Sequence, residues 1–138
     1  MTDDPKQELV QSWLIKALHD LGSAKKLAAD PNPFFDAAIY HCQQSAEKAV
    51  KGFLLFHDTR FDKTHNIVAL INLALSHEPN FAKWLPQAEL LTPYATEFRY
   101  PGITSEPTIE QVKTAIKAAD DLYKFVISIL PPSTHPNK

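Results

Sequence analysis

Six side chains in this chain have the types and spacing to hold a phosphate or move a proton: His41, Gln44, Lys48, His65, Arg99 and Tyr100. His41, Gln44, Lys48 and Lys51 recur at alternating steps of three and four, which aligns them on one helical stripe. An imidazole, an amide and two ammonium groups in line suit a phosphate or carboxylate ligand. The two lysines equally fit a solvated helix face. Glu47 stands four residues before Lys51, the favourable order for a surface ion pair of about 0.3–0.5 kcal/mol.

His65 follows Thr64 at the start of a helical pattern. There it fits either a helix-terminal hydrogen bond or general acid–base work, for which histidine's pKa is suited. Arg99 precedes Tyr100-Pro101, and the proline disfavours helix at Tyr100 and directs the chain outward. Arg99 fits two roles, a cation at the end of the preceding helix or a planar fork for phosphate. His65 and Arg99 are the catalytic candidates.

Other chemistries have little support. The histidines at 19, 41, 57, 65, 77 and 135 form no pair at i, i+3 or i, i+4, and no His-Glu-x-x-His or cysteine cluster occurs. Metal: none is expected. Glycine-rich phosphate loops and a Gly-x-Ser-x-Gly elbow are absent, and no cofactor is implied. Trp13 and Trp84 read as core or interface anchors, since no basic residues interleave closely with them.

The elements that must position these groups are helical. Three glycines, eleven prolines and few alternating β-branched runs point to an all-α chain punctuated by proline. The first helix starts at Asp4-Pro5, a cap followed by a proline in the first turn, and buries Val10, Leu14, Ala17, Leu21, Ala24 and Ala28. Asp30-Pro-Asn-Pro33 ends it. The second helix runs to about His57 with a seam of Phe35, Ile39, Cys42, Ala46, Ala49, Phe53 and Phe56.

Thr64 is the expected N-cap of a short third helix carrying Ile67, Leu70, Ile71 and Leu75. Pro86 fits a first helical turn, whereas Pro93 breaks or kinks any helix that continues past it. Residues 99–107 read as a loop. Thr108-Ile-Glu-Gln111 is a capping box that opens the last helix, with a seam of Ile109, Val112, Ile116, Ala119, Tyr123, Val126 and Leu130. The expectation is a single domain over 1–138, a helical bundle core over about 5–130, and a flexible tail over 131–138.

Size and charge fit that reading. At 138 residues the chain can build one hydrophobic core, and 44% hydrophobic with 22% charged residues argues against disorder. A net charge of −2 gives no overall attraction to nucleic acid or anionic membrane, so any such contact must be a local patch. The lone Cys42 excludes a disulfide within the chain and reads as a small core residue in a reducing compartment. No apolar run reaches the ~18 residues of a membrane span, and the polar start Met-Thr-Asp-Asp-Pro-Lys lacks an apolar signal core. A cytoplasmic location is expected.

Taken in order, these pieces resemble the HEPN domain family (higher eukaryotes and prokaryotes nucleotide-binding). The matching residues are Trp13…Ala17-x-x-Asp20-Leu21-x-x-Ala24-x-x-Leu27 and Asp36-x-Ala38-x-x-His41-x-Gln43-Gln44-x-Ala46-Glu47-Lys48-Ala49-x-Lys51. Lys63-Thr64-His65-x-Ile67-x-x-Leu70 and Arg99-Tyr100-Pro101 continue the match, over about residues 10–130. The resemblance implies an up-and-down bundle of four main helices plus a short helix, commonly a homodimer. It also implies a stand-alone prokaryotic module paired with a small nucleotidyltransferase, as in toxin–antitoxin systems.

Several branches of the family are metal-independent endoribonucleases with an Arg-x4–6-His motif shared across two protomers. There histidine deprotonates a ribose 2′-OH and arginine stabilises phosphate charge. In this chain Arg99 is followed by Tyr-Pro-Gly-Ile-Thr-Ser-Glu, without the histidine, so the motif is not intact. Arg60-Phe-Asp-Lys-Thr-His65 matches the count only formally, between the second and third helices. Three functions stay open: a nucleotide- or RNA-phosphate-binding module acting with a nucleotidyltransferase partner, an endoribonuclease toxin, and a purely structural dimerisation module. The first predicts that His41, Gln44, Lys48, His65, Arg99 and Tyr100 converge on one cleft.

Overall fold

The computed structural model describes residues 4–102 and 105–136. Among them every regular element is helical: α1 (Pro5–Ala28), α2 (Phe35–Phe56), α3 (Ile67–Ala74), α4 (Leu85–Leu91) and α5 (Ile109–Ser128). Three 3-10 turns, Pro79–Trp84, Thr92–Ala95 and Pro132–Thr134, fill the joints where proline removes a backbone donor. Ile103 and Thr104, inside the expected 99–107 loop, and Asn137 and Lys138 of the expected tail lie outside the described residues, as do Met1 to Asp3.

Local chemistry sets the helix ends. Asp4 accepts from the Lys6 amide at 2.9 Å, with Pro5 supplying the preset first turn of α1. The capping box of α5 is complete: Thr108 Oγ1 accepts from the Gln111 amide, and Gln111 Oε1 accepts from the Thr108 amide. The cap of α3 is Asn66, not Thr64. Asn66 Oδ1 accepts from the Ala69 amide, while Thr64 makes the turn before it by accepting from the Asn66 amide. Thr92, after α4, accepts from the Ile67 amide and satisfies a second orphan donor of α3.

The five helices form an up-and-down bundle with α2 at its centre, packed along α1 and α5 and touched by α3 and α4. The two long helices α1 and α2 pack tightly at Gly52. A β-carbon there would sit 3.3 Å from Leu14 Cδ2 and 3.4 Å from Trp13 Cβ. From the next residue an aromatic cluster fills the core, with Phe53, Phe81 and Phe125 meeting edge to face at 4.9 and 5.0 Å.

Two expectations change. Ile109 is half exposed because the first turn of α5 projects past the core; Val112 is the first residue to reach it, and Ala115 and Leu122 complete the face. The chain after Pro131 does not fray over its described part. Thr134 is fully buried, His135 Nε2 donates to the Ile127 and Leu130 carbonyls, and Gln11 on α1 donates to the His135 carbonyl. Those bonds satisfy the carbonyls at the end of α5.

Candidate functional site

A central helix has no solvent face to spare, and α2 between Cys42 and Leu54 is buried on nearly every side. Its polar residues are therefore inside and must find partners within the bundle. Gln43, fully buried, donates to Glu47 Oε1 at 3.0 Å and to the His65 carbonyl at 2.8 Å, and accepts from Gln44 Nε2 at 2.8 Å. Lys51 Nζ meets Glu47 Oε2 at 2.8 Å and lies over the rings of Trp13 and Phe61. Lys51 is thus buried, and its pair with Glu47 is an interior ion pair rather than a solvated one.

His65 completes this network from outside. Its Nδ1 lies 2.9 Å from Glu47 Oε1 while most of the ring stands in solvent. The carboxylate only accepts, so Nδ1 carries the proton and Nε2 faces away from the pair. Burial alone would raise the Glu47 carboxyl. Hydrogen bonds from Lys51, His65 and Gln43, with the Lys51 charge, outweigh burial and set it below the ordinary value.

A second carboxylate–histidine pair lies between α1 and α2. Asp20, buried one turn after Ala17, meets His41 Nδ1 at 2.8 Å through Oδ1 and Lys48 Nζ at 2.6 Å through Oδ2. Ser45 donates to the Ala17 carbonyl at 2.8 Å and fixes the register that brings Asp20 opposite His41. His41 and Lys48 are partly exposed, so the pair is reachable from solvent.

Arg99 joins His41 through the loop after α4. Its guanidinium lies over the Tyr40 ring, 3.8 Å from the centroid, and makes no ion pair among the described residues. Phe98 before it holds φ at +70°, a left-handed conformation that a bulky residue rarely adopts. Backbone strain of this kind is characteristic of functional loops, and here it turns Arg99 back onto α2. Asp36, Ala37, Tyr40, His41, Phe98 and Arg99 line a groove of about 290 Å³.

The six sequence candidates therefore divide. His41 and Arg99 share the groove, and Lys48 reaches it only by way of Asp20. Gln44 and His65 belong to the Glu47 network, and Tyr100 is exposed without lining the groove. One cleft holding all six is not formed within the chain. Helix geometry is the reason: at ~100° per residue Lys48 points almost with His41, whereas Glu47 points roughly 120° away and takes His65 to another face. Arg60 lines a different recess of about 650 Å³, between Asp58 and Asp62.

The groove residues Asp36, Tyr40 and Phe98, and the organising acids Asp20 and Glu47, are what sequence reasoning missed as site residues. Asp20 had a signal in the sequence besides its place in the family pattern: an acid at the turn between Ala17 and Ala24 on an otherwise apolar face. Among the described residues no group of three or more His, Cys, Asp or Glu side chains could hold a metal. No helix among them is long and apolar enough to cross a membrane.

Comparison with known proteins agrees with this architecture. The HEPN domain matches residues 10–130. An archaeal HEPN homologue of known crystal structure, ST0689, is 29% identical, with a TM-score of 0.68 over 86% of this chain and 95% of that one. The crystal structure of TT1696 from Thermus thermophilus is 24% identical, with a TM-score of 0.72 over 89% and 99% of the two chains, and shares the fold. Among curated proteins the chain has no match. On the extent of the family match, the chain belongs to the HEPN domain family.

Proposed function

We propose that this chain is a phosphate-binding HEPN module that takes a nucleotide or the RNA backbone in the groove between α2 and Arg99. One observation carries the reading: the guanidinium of Arg99, stacked on Tyr40 and without a carboxylate partner among the described residues, beside His41. A stacked guanidinium keeps its fork of donors in one plane, the geometry that suits two phosphate oxygens. His41 adds a second donor when protonated, and Asp20 holds its ring in place.

The same reading makes the module a homodimer acting with a nucleotidyltransferase partner in the cytoplasm, of the toxin–antitoxin kind. Its support is the family's habit of self-association and pairing, together with exposed Leu9, Phe34 and Ile109, apolar surface available to a partner. Calorimetric titration with ATP and a short RNA tests the binding. Wild type is expected to release or absorb heat with at least one of them, and Arg99→Ala to weaken it about tenfold or more, the loss of a charged hydrogen bond. No heat in wild type would favour the purely structural dimerisation module.

A second reading, the metal-independent endoribonuclease, is favoured by the His41–Asp20 pair beside Arg99. His41 Nε2 would take the ribose 2′-OH proton, the 2′-oxygen would attack phosphorus, and the bond to the 5′-oxygen would break as that oxygen regains a proton. Arg99 would stabilise the charge on the phosphate. Incubation of RNA without metal, comparing wild type, His41→Ala and His65→Ala, tests it. Cleavage abolished by His41→Ala but not by His65→Ala supports the role of this pair; no cleavage by wild type removes it.

A further inference from the structure

The groove that holds Arg99 also holds an acid. Asp36 stands one helical turn before Tyr40 on α2, about 6 Å along the axis, and lines the same groove. Its Oδ1 accepts from the Ala37 amide at 2.8 Å, and its Oδ2 has no hydrogen-bond partner among the described residues. Arg99, in the same groove lining, lies over the Tyr40 ring and makes no ion pair with Asp36. A bare anion binding at Arg99 would meet this carboxylate as a like charge. A ligand carrying hydrogen-bond donors a few bonds from its phosphate would instead satisfy it. The volume of the groove, about 290 Å³, is at the lower end for a small-molecule site.

We propose that Asp36 makes the groove selective for a phosphorylated ligand that carries two adjacent hydrogen-bond donors, over phosphate alone. The donor pair is either the cis-diol of a ribose or the N1–H and N2–H edge of guanine; both match a carboxylate that accepts two bonds. This rests on Arg99 holding the phosphate, and it adds what that reading lacks, a device for distinguishing one phosphorylated molecule from another. Phe98, held by its positive φ and stacked 6.0 Å from Tyr94, supplies an apolar wall on the loop side of the groove.

Calorimetry on the full chain tests it with inorganic phosphate, ribose 5-phosphate, AMP, GMP, dAMP and dGMP. Wild type is expected to bind one donor-bearing class about tenfold tighter than inorganic phosphate. A preference for ribose 5-phosphate, AMP and GMP over the deoxynucleotides assigns the cis-diol. A preference for GMP and dGMP over AMP and dAMP assigns the guanine edge. Asp36→Asn, which keeps the shape and removes the charge, is expected to bring the ratio close to one, and Asp36→Ala to do the same. If wild type binds all six equally, or if Asp36→Asn tightens every ligand by one common factor, Asp36 only repels and the proposal is overturned. If Arg99→Ala leaves phosphate binding intact, or nothing binds to wild type, the phosphate reading itself fails first.

Discussion

His65 Nδ1 and Glu47 Oε1 meet at 2.9 Å across the surface of the bundle, the imidazole mostly in solvent and the carboxylate inside. Glu47 also holds buried Lys51 and fully buried Gln43. A single interior carboxylate thus links the centre of α2 to the segment that enters α3.

Removal of that carboxylate strands its partner. Glu47→Ala leaves the Lys51 ammonium buried without a counter-charge, which costs about 3–5 kcal/mol. Urea denaturation is expected to show this loss, and the double variant Glu47→Leu with Lys51→Met to recover most of it, because the uncompensated charge is then gone. A loss below ~1 kcal/mol for Glu47→Ala would mean that Lys51 reaches water.

Acid should weaken the fold through the same residue. The folded-state pKa of Glu47 lies below the value of 4.5 that describes it unfolded. Its contribution is therefore fully present above 4.5 and is lost as pH falls through the lower folded value, since the unfolded chain binds the proton first. The stability gap between wild type and Glu47→Gln is expected to narrow steadily over that acid range. A gap that stays constant or widens would contradict the assignment.

The close approach of α1 and α2 leaves little room at Gly52. A β-carbon meets Leu14 Cδ2 at 3.3 Å, and Leu14 is fully buried, so it cannot swing aside. Gly52→Val is expected to destabilise by about 1–3 kcal/mol through overpacking. Gly52→Ala should come out much nearer neutral, its squeeze offset by the helix propensity gain of roughly 1 kcal/mol. Thermal unfolding of the two variants beside wild type separates these effects.

Burial pushes the Cys42 thiol up to about 12. A thiol so raised has almost no nucleophilic thiolate at mildly alkaline pH. The native protein should react with a disulfide reagent such as DTNB only as fast as it opens, while the urea-unfolded chain reacts at once. Rapid labelling of the native state would place Cys42 at the surface.

The sequence by itself determined α1, α2 and α5 and the place of α3, most of the ends of those helices, and most of the apolar faces of α1 and α5. Those features depend on local rules: Asp4-Pro5, the Thr108–Gln111 box and three-four spacing operate within one or two turns. It also singled out His41 and Arg99. What it could not determine is which polar residues of α2 face water. Glu47 and Lys51 have the composition and spacing of a surface ion pair, and only the packing of α1, α5 and the 57–66 segment around α2 makes them interior. Tertiary structure alone decided that His65 follows Glu47 away from the groove, and that a strained turn at Phe98 brings Arg99 back over Tyr40. Contacts between residues 20 and 41, or 40 and 99, span too much chain for a local pattern to encode, because they exist only after the helices have chosen their neighbours.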